Sequence, residues 1–569
     1  MALFFLVIFV LGFSTYDAQE TRPMVNTPYG QILGTHSTSY EGNIYSQFLA
    51  IPYAQPPIGN LRFLEPQPIQ KWKGVWNANQ SIECIQITHE PEPEGGVFLG
   101  DEDCLYLSVF VPGSKPVEGK NLDVIVHIHG GAFNFGYGNN YAGPKYLMDI
   151  NVVFVTFNYR LGPLGFLSTE DDVVPGNNGM KDQTAALKWI KENIKYFGGN
   201  PDSITITGLS AGGASVHYHY LSPLSKGLFK AGISTSGTAL CPWTFQERPL
   251  EKTKLLAAAV GCNQQSTKDL IDCLRNRPAR QIVENVRLFR PWLFNPFSPF
   301  GLVVEKGGKN PFLPDYPYAL LQRGEVQDLP WITSVTSHEG LYPAADYALK
   351  EHYLPDLEKR WEELAPYVLD YWSSVPSEMQ ASVAQKIKEY YLHGRSISRE
   401  SFPELVQMMS DRLFVVDAEK AARLQAKANK SPVYYYYFSY LGEEIPTLAV
   451  YFTHSEKKHG VCHGDDMMYI LSMPYGPLAK MSERDEEMKS ILLKMWGSFA
   501  RKGHPEIPVA NLKWIPVSKQ SDQPLEYLHI KTPSEIVMES VDEMGHRSFW
   551  DSLPFEENHN LLHRNKDEL

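Results

Sequence analysis

A serine, a glutamate and a histidine, in that order along the chain, carry the chemistry of a nucleophile, an orienting acid and a base. Ser210 lies in Gly208-Leu209-Ser210-Ala211-Gly212, a Gly-x-Ser-x-Gly turn. A serine hydroxyl is a weak nucleophile until an imidazole takes its proton and a carboxylate orients that imidazole. Upstream, Asp202 to Thr207 alternates β-branched residues and predicts a short strand. Downstream, Ala211 to Leu221 predicts a helix. A serine on such a turn stands exposed beyond the sheet. Its alkoxide sits near a helix N-terminus, where backbone N–H groups and the dipole favour negative charge. The pentapeptide also arises by chance in Gly- and Ser-rich loops, so its meaning rests on partners elsewhere.

Acyl transfer needs N–H donors where the carbonyl oxygen becomes negative. His129-Gly130-Gly131-Ala132 ends a strand-like run, Val124 to His129, and its small residues leave backbone N–H groups uncovered. The predicted oxyanion donors are the N–H groups of Gly131, Ala132 and Ala211. The acid should follow the serine and sit just past a strand. Glu339 does so after Pro330 to Thr336, with Gly340 permitting a tight turn. The base should come later still. His463 lies in Gly460-Val461-Cys462-His463-Gly464, after the strand-like Val433 to Tyr440. His459, next to Lys457 and Lys458, is the alternative. Asp465 and Asp466 are read as caps of a helical run from Met467 to Met473. Trp292, Phe294, Phe297 and Phe300 crowd a Pro-rich stretch, and together would line a pocket for uncharged, fairly apolar esters. Taken singly, each serves a core equally well.

These side chains need a frame. Strand-like runs at Val124 to His129, Val152 to Asn158, Asp202 to Thr207, Ala231 to Ser236, Pro330 to Thr336 and Val433 to Tyr440 are interleaved with helical patterns. One such pattern is Asp182 to Tyr196, with Asp182 near its start. The alternation predicts the α/β class, with a doubly wound, largely parallel sheet. Ligands bind beyond the carboxyl ends of such strands, where all the candidates fall. The stretches from Leu341 to Asp417 and from Glu483 to Lys502 read as helical, and insertions of this kind cap active sites. No Pro/Gly/Ser-rich linker divides the chain, so residues 19–560 are expected to form one domain.

The chain has 569 residues, 43% hydrophobic, with a net charge of −13. That charge argues against a nucleic-acid partner and favours a solvating acidic surface. The apolar run Met1 to Phe13 is too short to span a bilayer. Followed by Ser14, Thr15 and Ala18, it predicts a signal peptide over residues 1–18. No other stretch reads as a transmembrane anchor. The chain ends Lys566-Asp567-Glu568-Leu569. This KDEL address, on a tail of residues 561–569, is read by a retention receptor and predicts the endoplasmic reticulum lumen. Six cysteines suit that oxidising compartment. Cys84 with Cys104 and Cys262 with Cys273 each close a short loop and are expected to be disulfides, although four cysteines allow three pairings. Cys241 and Cys462 are left over. No Cys/His cluster has zinc-site spacing, so no metal or cofactor is expected. Glycosylation sequons stand at Asn79 and at Asn429, the latter followed by Pro432.

Longer motifs carry a resemblance. Phe48 to Phe63 (FLAIPYAQPPIGNLRF), Glu102-Asp103-Cys104-Leu105-Tyr106-Leu107, Asn158-Tyr159-Arg160-Leu161-Gly162, Asn177 to Gln183 (NNGMKDQ) and Gly198-Gly199-Asn200-Pro201 occur in one order. They resemble the signatures of the type-B carboxylesterase/cholinesterase family of α/β-hydrolases, most of all its insect carboxylesterases, over nearly the whole mature chain. The resemblance implies the α/β-hydrolase fold, a large mixed, mostly parallel central sheet flanked by helices, with helical insertions over the active site. It implies Ser210, Glu339 and His463 as the triad of a serine carboxylesterase working through an acyl-enzyme, with the same two disulfides and no cofactor. Two positions depart from familiar members. The glycine run is Gly-Gly-Ala where many have three glycines, and Ala132 narrows the site. The nucleophile turn is Gly-Leu-Ser where juvenile hormone esterases typically carry Gly-Gln-Ser, which argues against hormone-specific hydrolysis. No choline-binding aromatic is placed, so a cholinesterase is not expected. Acyl transfer to another alcohol and lipase action would use the same triad. A binding protein of this family would have lost the serine, which is present here.

Overall fold

The structure, a computed structural model, describes residues 22–89, 96–139, 142–453, 458–472, 481–510, 512–520 and 522–557. The strands of its large sheet are β1 (Thr35–Thr38), β2 (Ile44–Pro52), β3 (Tyr106–Pro112), β4 (Leu122–Ile128), β5 (Val153–Phe157) and β6 (Gly199–Leu209). They continue with β7 (Ala231–Thr235), β8 (Trp331–Thr336), β9 (Val433–Phe438), β10 (Leu525–Thr532) and β11 (Glu535–Val541). This 11-stranded sheet has the order β11-β10-β9-β8-β7-β6-β4-β5-β3-β2-β1. Pairing is parallel from β10 through β5 and antiparallel at both ends.

The central strands β5, β7 and β8 are buried along their whole length. Strands covered on both faces must be near-continuous apolar runs, and this is why their sequences show little alternation. The outermost strands β1 and β11 expose polar residues and read poorly as strands. The two faces carry separate cores. Val124, Val126, Val155 and Ile206 share a core with Ala214 and Val216 of α2 (Ala211–Leu221). Ile125, Phe154 and Ile233 share the other with Leu492, Trp496 and Phe499 of α6 (Glu483–Lys502).

Helix α1 (Asn178–Asn193) starts ahead of the expected Asp182. Asp182 is not a cap. It is buried inside the helix and accepts from the Nε and Nη2 of Arg160, each at 2.7 Å. Arg160 follows β5, so this ion pair ties the strand exit to the helix. Between β8 and β9 lie further helices, including α3 (Leu341–Tyr347), α4 (Phe402–Ser410) and α5 (Val416–Ala428). A π-turn, Asp411–Val415, joins α4 to α5. Disulfides pair Cys84 with Cys104 and Cys262 with Cys273.

Candidate active site

Strand β6 ends at Leu209 and α2 begins at Ala211, which leaves Ser210 alone on the turn at φ 60°, ψ −123°. Positive φ is costly for a residue with a side chain and persists only where the surroundings dictate it. Here they do. The Ser210 N–H donates to the Thr235 carbonyl at 2.8 Å. A Cβ on Gly212 would lie 2.0 Å from the Ile128 carbonyl oxygen, and one on Gly237 would lie 2.2 Å from that of Ser210. Only glycine lets β4, β7 and the turn approach so closely.

The loop after β4 lies against this turn. A Cβ on Gly130 would stand 3.2 Å from the Ser210 Cβ. Ala132 and Phe133 are both left-handed, at φ 53° and 59°. The Gly131 carbonyl accepts the N–H groups of Asn134 and Phe135, at 2.9 and 3.0 Å. The Ala132 carbonyl accepts the Ser298 hydroxyl at 3.0 Å and the Asn134 amide. A trans peptide directs its N–H opposite its C=O. With the Gly131 carbonyl turned inward to Asn134 and Phe135, the Ala132 N–H is turned away from them. Among the described residues, the N–H groups of Gly131, Ala132 and Ala211 donate to no loop, turn or cap acceptor.

Glu339 and His463 meet beside this turn. The His463 Nδ1–H donates to Glu339 Oε2 at 2.6 Å. The other carboxylate oxygen accepts the Ser236 hydroxyl at 2.6 Å and the Thr336 N–H at 2.7 Å. Glu339 is wholly buried, so these donors replace the water it has lost. The two loops are stitched together by the His338 N–H donating to the Val461 carbonyl at 3.0 Å. Gly464 packs against the Leu209 side chain, which sets the histidine loop against the serine turn. His463 Nε2 is buried with no hydrogen-bond partner among the described residues. With Nδ1 donating to Glu339, Nε2 is a free lone pair, the acceptor that a proton-abstracting base needs. His459 instead lies edge-on to Phe402, with ring centroids 5.7 Å apart.

Two aromatic rings fix the imidazole. Tyr342 stacks on it at 5.5 Å and Phe414, from the π-turn, contacts it at 4.6 Å. The Tyr342 hydroxyl is itself held by His89 Nδ1 at 2.9 Å. Sequence reasoning passed over Tyr342, Phe414 and Ser236. Tyr342 lies three residues past Glu339 and could have been found by proximity. Phe414 has no local signal, because only tertiary folding brings it to His463.

Several expectations need correction. Asp465 and Asp466 do not cap a helix. Asp465 accepts the N–H groups of Leu448 and Cys462, each at 2.6 Å, and Asp466 accepts the Tyr436 hydroxyl at 2.6 Å. They pin the histidine loop, and the element they belong to is a short 3₁₀ turn, Asp465–Tyr469, led by Gly464. Of the four pocket aromatics, Phe294 and Phe297 reach the site through Tyr342, at 6.4 and 5.6 Å. Trp292 packs on Tyr347 and donates to Asp356, and Phe300 packs on Phe289. Asn79 is exposed. Asn429 is 3% exposed and its Nδ2 donates to the Leu329 carbonyl at 3.1 Å, leaving no room for a glycan.

Electrostatics separates candidate nucleophiles from structural groups. Burial pushes the Cys241 thiol up to about 12 and the Cys462 thiol well above its ordinary value, so neither is a thiolate at neutral pH. Burial lowers His129 to about 4, which keeps it neutral within the glycine loop. Among the described residues no cluster of His, Cys, Asp and Glu could hold a metal ion, and no helix is long and apolar enough to cross a membrane. The expected signal peptide and the KDEL tail lie outside the described residues.

Comparison with known proteins places this geometry. The model of the carboxylesterase family matches residues 21–550. Venom carboxylesterase-6 of Apis mellifera is 46% identical over 557 residues, covering 97% of this chain and 98% of that protein. Esterase E4 of Myzus persicae is 42% identical over 533 residues, covering 92% and 94%. The crystal structure of juvenile hormone esterase from Manduca sexta, with OTFP covalently attached, superposes with a TM-score of 0.80 at 28% identity, covering 95% of this chain and all of that one. A mixed, mostly parallel sheet flanked by helices, matched to that structure and to those sequences, makes the fold an α/β-hydrolase fold. The chain belongs to the carboxylesterase family and is a carboxylic ester hydrolase.

Proposed function

We propose that the chain is a serine esterase that hydrolyses uncharged, fairly apolar esters through an acyl-enzyme. The observation that carries this reading is the Glu339–His463 pair, whose Nε2 has no partner among the described residues and whose loop packs on Leu209, next to Ser210. Ser210 attacks the ester carbonyl while His463 takes its proton. Glu339 keeps Nδ1–H in place and stabilises the imidazolium. The N–H groups of Gly131, Ala132 and Ala211 receive the oxyanion at the N-terminus of α2. His463 then protonates the leaving alcohol. It next deprotonates a water molecule, which releases the acid and frees Ser210. Phe294, Phe297 and Tyr342 offer an apolar surface beside the imidazole, which supports the preference for uncharged esters.

Residues 19–560 form one hydrolase domain on this reading. The signal peptide and the Lys566-Asp567-Glu568-Leu569 tail place it in the lumen of the endoplasmic reticulum, with the retention receptor as its protein partner. A fluorophosphonate probe tests the mechanism. Intact mass should show one adduct, mapped to Ser210 and absent in Ser210→Ala. Full labelling of Ser210→Ala, or hydrolysis confined to charged esters, would sink the reading.

A further inference from the structure

A cavity of about 130 Å³ lies between the segment that follows β7 and the start of α5, and neither Ser210, Glu339 nor His463 lines it. Part of its wall is apolar, formed by Leu240, Pro242, Phe245, Tyr316 and Pro317. Its acidic lining residues are Glu247, Asp370, Asp417, Glu556 and Glu557, and Lys420 is its one basic residue among those described.

Local partners satisfy part of this charge. Glu247 accepts the Ser373 hydroxyl at 2.6 Å, and Glu557 pairs with Arg412 at 2.8 Å. Lys420 is committed to Asp551 at 2.5 Å and stands 3.7 Å from Asp417. Two carboxylates remain. Asp417 is 8% exposed and accepts no side-chain hydrogen bond among the described residues. The half-buried Asp370 carboxylate has neither a hydrogen bond nor an ion pair there, with Lys252 and Arg412 the nearby basic groups. Burial, ahead of every charged neighbour, pushes Asp370 up to about 7 and Asp417 up to about 6. The lining therefore carries more carboxylates than basic groups, and a cation in the cavity offsets that excess.

We propose that this cavity is a binding site for a small amphipathic organic cation, an aryl- or alkylammonium. Its apolar body lies against Phe245 and Tyr316, and its ammonium group sits with Asp370 and Asp417. A neutral ligand would leave the excess of carboxylates uncompensated, and an anion would be repelled. A bare metal ion lacks a donor set, since no cluster of His, Cys, Asp and Glu among the described residues is close enough to hold one.

Calorimetry on the full chain with benzylammonium chloride tests the site, with benzyl alcohol as the uncharged compound of the same shape. Benzylammonium is expected to bind one to one, about tenfold or more tightly than benzyl alcohol, and to be weakened about tenfold by Asp370→Asn or Asp417→Asn. Binding should persist after Ser210 has been blocked with a fluorophosphonate. Leu240→Trp, which fills the cavity from its partly exposed wall, should abolish binding while ester hydrolysis and the unfolding temperature stay near wild type. Equal binding of benzyl alcohol overturns the proposal, as does full binding by both Asn variants. Loss of binding on blocking Ser210 would move the ligand to the catalytic pocket. Binding seen only in a chain ended at Glu557 would assign the cavity to residues 558–569 of the chain itself.

Discussion

Ser210 holds a backbone conformation that its own side chain disfavours. Ser210→Gly should therefore remove the nucleophile without unfolding the protein, and even stabilise it by about 0.5 kcal/mol, because glycine takes positive φ freely. Hydrolysis of a p-nitrophenyl ester should fall by at least about 10³-fold, while the midpoint of urea unfolding stays level or rises. Glu339→Gln keeps the shape and removes the charge that orients His463. Its kcat should drop by about 10³- to 10⁴-fold with the fold retained by circular dichroism. A loss below tenfold would remove Glu339 from the mechanism. The three residues of the proposed triad were legible because each sits in a loop punctuated by glycine, just past an apolar run, in a fixed order. Phe414 and Ser236 were not, since their roles exist only once distant segments meet.

The strands that position the site were legible as short apolar runs, and β6 to β9 fall where β-branched and aromatic residues concentrate. The edge strands β1 and β11 were not, because most of their residues are partly or fully exposed. The helix start was misplaced at Asp182, and Asp465, read as a cap, is instead a buried tie to neighbouring segments. Helix α3 holds a related case. Asp346 is 3% exposed and its Oδ1 has no partner among the described residues. Burial pushes its carboxyl up to about 8. The folded state then keeps a proton that the unfolded chain has already released. Stability falls as pH rises from about 4 to about 8. Asp346→Asn should remove this part of the fall, leaving the variant more stable than wild type at pH 8 by up to a few kcal/mol, with the gap closing near pH 4. Urea unfolding at both pH values gives the comparison, and a gap that is constant with pH would contradict the account.

At the scale of the whole molecule, the sheet separates two cores and the disulfides lie outside both sets of central strands. Cys84–Cys104 and Cys262–Cys273 span 20 and 11 residues. Loop-closure entropy assigns each about 3 kcal/mol, slightly more to the first. Replacing either pair by serines should lower the unfolding temperature and leave ester turnover per folded molecule unchanged. Glycan occupancy tests the surface in another way. Expressed through a secretory pathway, the chain should carry a single N-glycan, lost in Asn79→Gln and kept in Asn429→Gln. In the sequence, Pro432 after the second sequon already sets the two apart. The burial of Asn429 and its bond to the Leu329 carbonyl point the same way.

The turn that carries Ser210 is moulded almost entirely by its neighbours. Gly208, Gly212, Gly213 and Gly237 each have backbone where a Cβ would stand. On the proposed mechanism, losing catalysis needs one codon change at position 210, and that change leaves the mould standing. A lineage can set the activity aside, keep the scaffold for another use, and later recover the enzyme by a single reversal. A change at any of the four glycines closes that route in both directions. Silent and active descendants of this chain are thus neighbours in sequence space, separated by a step that runs both ways.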